Sequence, residues 1–166
     1  SNGFAIVKVK GRGFNFINPQ GELLWDKDEW FDYVYHFHEG FAEVKIEGIG
    51  WNWIDTNGKL LWKQYKCFDE VDYFSNGLAR VYKEGQGWNF INTQGELFWS
   101  EYKNYDKVYN FIEGFVRVGI KGRGWNFINT KGELLWKEDK WFNEVSPFYE
   151  EFARVYIRGR GWNFIN

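Results

Sequence analysis

The sequence repeats itself every 37 residues without an insertion or deletion. A fixed period of this length is typical of proteins in which each repeat is one small structural unit that packs against its neighbours. The repeat is marked by the run Gly-Trp-Asn-Phe-Ile-Asn, whose first aromatic position falls at Phe14, Trp51, Trp88, Trp125 and Trp162. The period divides the chain into residues 3–39, 40–76, 77–113, 114–150 and the partial repeat 151–166. We therefore expect residues 1–166 to form a single repeat domain, taken from a longer array.

Composition excludes several classes of protein. Aromatic residues make up 23% of the chain, and 21 basic residues nearly balance 23 acidic ones. Disordered chains have few aromatic residues and a high net charge, so disorder is excluded. No apolar run approaches the roughly 20 residues that cross a bilayer, so we expect no membrane insertion. The single cysteine, Cys67, excludes an internal disulfide, and nothing in the sequence assigns a compartment.

The third repeat shows how one repeat is expected to fold. Residues 78–84 alternate apolar and polar side chains, which predicts a half-buried strand. The Gly-x-Gly at 85–87 supplies the positive φ angles of a tight hairpin, and a second strand follows at 88–92. A turn at 92–95 then leads into a short third strand at 96–99. The rest of the repeat does not alternate and is predicted to be a packed connector.

The fold class follows from this repeat. We expect an all-β protein of tandem 37-residue repeats, each a three-stranded antiparallel meander plus a packed connector, stacked as an open superhelical array. A repeat of this length also approaches that of a propeller blade, so a closed propeller- or barrel-like ring is the alternative. Four and a half repeats do not close neatly, which favours the open array.

Four segments of the third repeat carry a family likeness: Gly-Leu-Ala-Arg-Val at 77–81, Gly-Trp-Asn-Phe-Ile-Asn-Thr-Gln-Gly at 87–95, Tyr-Asp-Lys-Val at 105–108, and Phe-x-x-Gly at 111–114. The chain resembles the WG-repeat family of bacterial and phage proteins, also called KWG repeats, over its whole length. The family usually reads Lys-Trp-Gly-Phe-Ile, whereas here the glycine precedes the tryptophan and an asparagine follows it. The resemblance implies a β-rich binding or scaffold module and brings no catalytic residues.

Three columns of the repeat are candidate structural or binding positions. The rings at Trp51, Trp88, Trp125 and Trp162, with the aromatic residues two positions later, are predicted to fill the core. The asparagines between them, Asn52, Asn89, Asn126 and Asn163, are predicted to form a hydrogen-bonded ladder between repeats. The third column comprises Trp25, Trp62, Trp99 and Trp136. Core packing is favoured there, and the alternative is a ladder of exposed rings on which sugars or peptide side chains stack.

Metal and nucleophile chemistry has little support. His36 and His38 lie on one face of an extended segment, a spacing that suits Zn²⁺ if a third ligand comes near. The other repeats have no histidines there, so solvated histidines are favoured and no metal is expected. Cys67 has no recurring histidine partner and is interpreted as a packing or surface residue.

Acid–base and phosphate chemistry are also disfavoured. The carboxylates Asp32, Asp69 and Asp106 stand 37 residues apart with Asn143 in the fourth place, so capping of the connector's turn is favoured over catalysis. The Gly-x-Gly segments are followed by strands, not by the helix that a phosphate-binding loop requires. We therefore expect no enzyme activity and no cofactor.

These observations predict a non-enzymatic repeat scaffold for protein–protein interaction or self-assembly. The net charge of successive repeats runs −2, −2, −1, +1 and +2, so opposite ends of two copies attract each other. The overall charge of −2 argues against nucleic acid as a partner. The alternative function is a carbohydrate-binding module that uses the Trp25 column as a tryptophan ladder.

Overall fold

The computed structural model describes residues 3–25, 30–62, 67–137 and 140–166. Over these residues the chain is all-β, with fourteen strands and no helix, and therefore no helix that could span a membrane. The chain divides into two compact bodies, an N-terminal body (Ser1–Ser100) and a C-terminal body (Glu101–Asn166).

The N-terminal body contains three antiparallel sheets. The first has two strands, β1 (Ala5–Val9) and β2 (Gly13–Ile17). The second follows the order β3-β4-β5, with β3 (Tyr33–Val34), β4 (Phe41–Ile46) and β5 (Gly50–Asp55). The third follows the order β6-β7-β8, with β6 (Glu70–Val71), β7 (Leu78–Lys83) and β8 (Gly87–Asn92).

The C-terminal body contains two three-stranded antiparallel sheets. One consists of β9 (Lys107–Ile112), β10 (Phe115–Ile120) and β11 (Gly124–Asn129). The other consists of β12 (Glu144–Val145), β13 (Ala153–Ile157) and β14 (Gly161–Ile165). Paired strands are consecutive in the sequence, so each three-stranded sheet is a meander, and no sheet in the described part of the chain closes on itself.

The third strand of each meander comes from the connector that precedes the hairpin, which corrects its predicted position. In the third sheet, β6 pairs with β7, whereas the predicted strand at 96–99 makes a single bridge between Ile91 and Leu97. The reason is the buried side chain of Asn89. Its Oδ1 accepts a hydrogen bond from the backbone N–H of Trp99, and its Nδ2 donates to the carbonyl of Trp99, both at 3.0 Å. The side chain thus occupies the backbone groups that strand pairing at Trp99 requires.

Consecutive sheets share their hydrophobic cores. In the N-terminal body, one face of the second sheet packs on residues from the first sheet and the connectors, in a cluster of Phe16, Phe31, Phe37, Ala42, Val44 and Ile54. The C-terminal body repeats this arrangement with Phe127, Phe142, Phe148, Ala153 and Val155. Within each body, therefore, one repeat completes the core of its neighbour, as expected for a repeat that cannot bury its apolar face alone.

A carboxylate at the end of one repeat also holds the next repeat in place. In the N-terminal body, the two oxygens of Glu39 accept hydrogen bonds from the backbone N–H groups of Asn76 and Gly77, each at 2.8 Å. In the C-terminal body, Glu113 accepts equivalent bonds from Glu150 and Glu151 at 3.0 Å. These hydrogen bonds hold the ends of successive repeats together.

The Gly-x-Gly segments form the hairpin turns, as predicted. Gly48 and Gly50 connect β4 to β5 with φ angles of 71° and 115°. A Cβ atom at Gly50 would lie 2.7 Å from the carbonyl oxygen of Phe68, whereas no atom lies within 4 Å of the Cβ position at Gly48. Gly50 is therefore required both by its positive φ angle and by its close approach to Phe68, whereas Gly48 is required by its φ angle alone.

We expect Gly50→Ala to lower the free energy of unfolding by about 2 kcal/mol, because it adds backbone strain at a positive φ to a clash with Phe68. Gly48→Ala is the matched control in the same turn and is expected to cost about 1 kcal/mol, since only the φ angle is unfavourable. Urea denaturation of the two variants measures the difference. Equal destabilisation would contradict the role assigned to the contact with Phe68.

Candidate functional site

The Trp25 column lies against the core. Trp99 is 2% exposed, and the other three tryptophans are half-buried. Three of the rings pack on phenylalanines of the adjoining connector, with centroid distances of 5.3 Å for Trp25–Phe31, 5.0 Å for Trp62–Phe68 and 5.2 Å for Trp136–Phe142. A stacking platform requires an exposed ring face. The alternative of a four-membered ligand ladder is therefore wrong at Trp99.

The Trp51 column is only partly buried, which corrects the prediction that it fills the core. Trp51, Trp88 and Trp125 are half-buried, and Trp162 is 50% exposed. The interior is filled instead by the aromatic residues two positions later, namely Phe16, Trp53, Phe90 and Phe127. Each tryptophan of the Trp51 column directly follows the hairpin turn, at the rim of its sheet.

A cation lies over each ring of this column. The distances from charged group to ring centroid are 5.7 Å for Lys45–Trp51, 4.8 Å for Arg80–Trp88, 5.8 Å for Lys107–Trp125 and 4.7 Å for Arg154–Trp162. A tyrosine packs beside each ring, in the pairs Tyr35–Trp51, Tyr82–Trp88, Tyr109–Trp125 and Tyr156–Trp162. Each of these repeats therefore presents a cluster of tryptophan, tyrosine and cation at its surface, which we call the aromatic–cation cluster.

In the N-terminal body a groove opens beside the cluster at Trp51. Its volume is about 460 Å³, and residues from the second and third sheets line it. They are Tyr35, His36, His38, Glu43, Trp51, Glu70, Val71, Asp72 and Tyr73. We call this site the Glu43 groove.

Glu43 is the most unusual residue of the groove. It belongs to β4 and is 4% exposed, and its Oε2 has no hydrogen-bond partner among the residues that the structure describes. Burial raises the pKa of the Glu43 carboxyl from 4.5 to about 7; a backbone hydrogen bond opposes this shift, and the negative charge of Asp72 adds to it. The carboxyl is therefore partly ionised at neutral pH.

A second carboxylate in the groove is held by a cation. Asp72 forms an ion pair with Arg80, with 2.7 Å between Oδ2 and the guanidinium nitrogen. The same guanidinium lies over the ring of Trp88. The guanidinium of Arg80 thus contacts a carboxylate and an aromatic ring at the same time.

The C-terminal body has a groove of the opposite charge. Its volume is about 620 Å³, and its lining includes the basic side chains Lys107, Lys121 and Arg123 beside Trp125. Asp106 is the acidic residue of that lining, and one of its carboxylate oxygens accepts a hydrogen bond from the backbone N–H of Lys121. The unpartnered, buried carboxylate of the Glu43 groove has no counterpart in this lining.

The repeats of this chain match a known family. The family model of the WG containing repeat matches residues 31–48, 68–86 and 88–123, which include β3 and β4 of the second sheet, β6, β7 and nearly all of β8 of the third sheet, and β9 and β10 of the C-terminal body. This chain contains WG repeats. It is therefore a β-rich tandem-repeat protein, as the sequence predicted. A search of the curated proteins gives no match.

Solved structures resemble the WG-repeat protein at low sequence identity. The computationally designed Ika8 protein matches 99% of this chain with a TM-score of 0.51 and 10% identity, and this chain spans 55% of its length. The designed Ika4 protein matches 78% of this chain, and 86% of its own length, with a TM-score of 0.47 and 13% identity. BamB from Moraxella catarrhalis matches 99% of this chain, and 56% of its own length, with a TM-score of 0.44 and 10% identity. The likeness to Ika8 concerns the fold alone.

The asparagine column of the WG-repeat protein does not form the predicted ladder between repeats. Asn15, Asn52, Asn89 and Asn126 are at most 1% exposed, and the hydrogen bonds of their side chains stay within their own repeat. Asn163 is exposed and accepts one bond from the backbone N–H of Phe164. The buried asparagines of this column therefore bind the backbone of their own repeat and do not connect neighbouring repeats.

The aspartate column caps hairpin turns, not the turn of the connector. Asp69 accepts a hydrogen bond from the backbone N–H of Glu84 at 2.7 Å, and Asn143 accepts the equivalent bond from Arg158 at 2.6 Å. Since an asparagine makes the same bond, the charge is not essential.

The histidines and the cysteine occupy different environments. His36 and His38 are exposed and line the Glu43 groove, with the His38 ring 4.8 Å from that of Tyr73. Among the described residues, no group of three or more His, Cys, Asp or Glu side chains is arranged to hold a metal ion. Cys67 is buried, and burial raises the pKa of its thiol.

Glu43 is the candidate functional residue that the sequence analysis missed. Its column reads Ile6, Glu43, Arg80, Arg117 and Arg154, so the sign of the charge reverses in a single repeat. This reversal was visible in the sequence. Its burial was not, because the groove around it is formed by segments distant from it in the sequence, at 35–38 and 70–73.

Proposed function

We propose that this WG-repeat protein is a non-enzymatic scaffold that binds other proteins, or further copies of itself, through its aromatic–cation clusters. The observation that carries the proposal is the recurrence of a half-exposed tryptophan, with its tyrosine and its cation, in successive repeats. Tryptophan, tyrosine and arginine are the residues that contribute most to the affinity of protein interfaces. Because the cluster recurs in successive repeats, it suits a partner that is itself repeated.

The contents of the Glu43 groove support binding over catalysis. Acid–base hydrolysis needs two carboxyl groups that both reach the substrate. Asp72 is engaged by Arg80. Because this ion pair holds Asp72, Glu43 and Asp72 do not form such a pair of free carboxyl groups.

Substitution of the cluster tryptophans tests this function. We expect Trp88→Leu and Trp125→Leu each to weaken partner capture, or self-association, at least tenfold, because truncating an interface tryptophan typically costs more than about 1.4 kcal/mol. Sedimentation equilibrium measures self-association, and quantitative capture from lysate with chemical crosslinking measures other proteins. Leucine preserves apolar volume, and near-ultraviolet circular dichroism confirms folding.

Tyr149→Leu is the matched control. Tyr149 is a large aromatic residue with 73% of its surface exposed, and it is not one of the tyrosines of the aromatic–cation clusters. The control should bind as the wild type does. Unchanged binding in both tryptophan variants, or an equal loss in Tyr149→Leu, would refute the proposed role of the clusters.

Glycan binding is the second candidate, and one surface cavity favours it. Trp25 lines a cavity of about 470 Å³ together with Leu23, Asn57 and Lys59. Quenching of tryptophan fluorescence by an oligosaccharide, abolished by Trp25→Ala, would support this function. The absence of any response across a broad glycan array would reject it.

A further inference from the structure

We propose that the Glu43 groove binds the side chain of an arginine from a partner protein. The inference rests on the proposed protein-binding function and names the chemistry of its partner. The proposed occupant of the groove is an extended protein segment that presents an arginine.

The chain contains its own precedent for this interaction. The guanidinium of Arg80, in the third repeat, lies 4.8 Å from the centroid of the Trp88 ring and 2.7 Å from the carboxylate of Asp72, in the second repeat. Position 43 is the equivalent of position 80, and there the arginine is replaced by Glu43. The second repeat therefore keeps the tryptophan, Trp51, with Tyr35 stacked on it, but supplies a carboxylate where the third repeat supplies a guanidinium.

The carboxylate of Glu43 is buried with one oxygen unpaired. Its Oε2 lacks a hydrogen-bond partner in the described part of the chain, although the residue is 4% exposed. An unsatisfied buried acceptor is unfavourable and is rare in folded proteins. A guanidinium offers five N–H donors in one plane and also stacks on aromatic rings, so it complements both the carboxylate and the walls of the groove.

The balance of charge in the groove favours a cation. Three carboxylates face it, those of Glu43, Glu70 and Asp72, and Arg80 pairs with Asp72. The remaining charged or titratable groups around Glu43 are His36, His38, Lys45, Tyr35 and Tyr73. The amine of Lys45 lies over the rings of Trp51 and Tyr33, at 5.7 and 5.9 Å from their centroids.

The size of the groove fits one side chain with part of its backbone. Its volume of about 460 Å³ lies within the range of about 300–1,000 Å³ that small-ligand sites occupy. An open groove of this size accepts an extended segment that carries an arginine, whereas a folded domain is too large to enter.

A peptide titration of the full chain tests the proposal. The probe is the peptide Gly-Gly-Arg-Gly-Gly, acetylated and amidated, and binding is followed by nuclear magnetic resonance at the indole N–H of Trp51. The peptide with citrulline in place of arginine is the control ligand, because it keeps the shape and lacks the charge. We expect citrulline and Glu43→Gln each to weaken binding at least tenfold, and Glu47→Gln, an exposed residue of the same hairpin, to leave it unchanged.

The pH dependence gives a second readout. Because the carboxyl of Glu43 loses its proton near pH 7, affinity for the arginine peptide should fall about tenfold between pH 8 and pH 6. Histidines also gain charge over this range. The double variant His36→Gln, His38→Gln should keep this dependence, whereas Glu43→Gln should abolish it.

Several outcomes would overturn the inference. Equal binding of the citrulline peptide, or unchanged binding by Glu43→Gln, would show that Glu43 does not recognise a guanidinium. Equal binding of a lysine peptide would reject selectivity for arginine, and self-association abolished by Glu43→Gln would identify a second copy as the occupant. If the arginine peptide fails to bind while Trp88→Leu still reduces partner capture, the inference is wrong and the proposed function stands.

Discussion

Asn89→Ala is expected to lower the free energy of unfolding by about 4 kcal/mol, a large part of the stability of a small domain. The side chain of Asn89 is fully buried and makes three hydrogen bonds with the backbone. It accepts from the N–H groups of Phe90 and Trp99, at 2.8 and 3.0 Å, and donates to the carbonyl of Trp99 at 3.0 Å. Alanine leaves two donors and one acceptor without partners, and each such buried group costs about 1–3 kcal/mol. Equilibrium denaturation in guanidinium chloride measures the loss.

The last repeat supplies a control for this substitution. Asn163 occupies the same column but is exposed, and it accepts a single bond from Phe164. Asn163→Ala should change the unfolding free energy by no more than about 0.5 kcal/mol, as is usual for surface substitutions. If the unfolding free energy of Asn89→Ala remained within about 1 kcal/mol of the wild-type value, the hydrogen bonds of Asn89 would not be a principal source of stability.

Glu43→Gln is expected to stabilise the protein by about 3 kcal/mol at pH 8.5 and by little at pH 4. The pKa of Glu43 rises from 4.5 in the unfolded chain to about 7 in the folded protein. Between these values the folded state binds more protons than the unfolded state, so stability falls as the pH rises. Below pH 4.5 the carboxyl is protonated in both the folded and the unfolded state. Above pH 7 it is ionised in both states, and the full free-energy cost of burying the charge is present. Each pKa unit corresponds to about 1.4 kcal/mol.

Urea denaturation of the wild type and Glu43→Gln at a series of pH values measures this difference. Glu47→Gln, which also removes one carboxylate from the second sheet, should show no comparable change with pH because Glu47 is exposed. A stability difference independent of pH would refute the assignment. Together with the peptide titration, this experiment separates the two consequences of the substitution, since the variant that gains stability is expected to lose the ligand.

The repeat, its hairpins and its shared core follow directly from the sequence. The 37-residue period places Gly48 and Gly50 at a hairpin turn, and alternation identifies Ala79 and Val81 as core residues. These features depend on local conformation and on the two-residue period of a strand, both of which one repeat contains in full.

The location of the third strand and of the two tryptophan columns depends on more than alternation. Asn89 binds the backbone at Trp99, and this side-chain contact moves strand pairing from the end of the repeat to the connector. Trp88 and Phe90 have the same parity along one strand, yet Phe90 is buried and Trp88 is half-buried. Parity predicts which face of a sheet a side chain lies on, but not how deeply that side chain is buried.

The candidate site was the least predictable part. Arg80 occupies an outward-facing position of its strand, and the equivalent position of Glu43 also predicts exposure. Asp72 and Tyr73, which follow β6 of the third sheet, nevertheless help to form the groove in which Glu43 is buried. A periodic sequence predicts the strands and turns of each repeat, but the environment of a residue that breaks a column depends on segments far from it in the sequence.

The sharing of one core by two successive sheets also has a consequence for synthesis on the ribosome. Phe16 leaves the ribosome before Ala42, Val44 and Ile54, the residues that bury it. A growing chain of such repeats therefore always carries one incomplete apolar face at its newest end, and each newly made repeat covers the face left by the previous one. Exposed faces of this kind promote aggregation. The first hairpin therefore stays uncovered until residues 41–55 have left the ribosome.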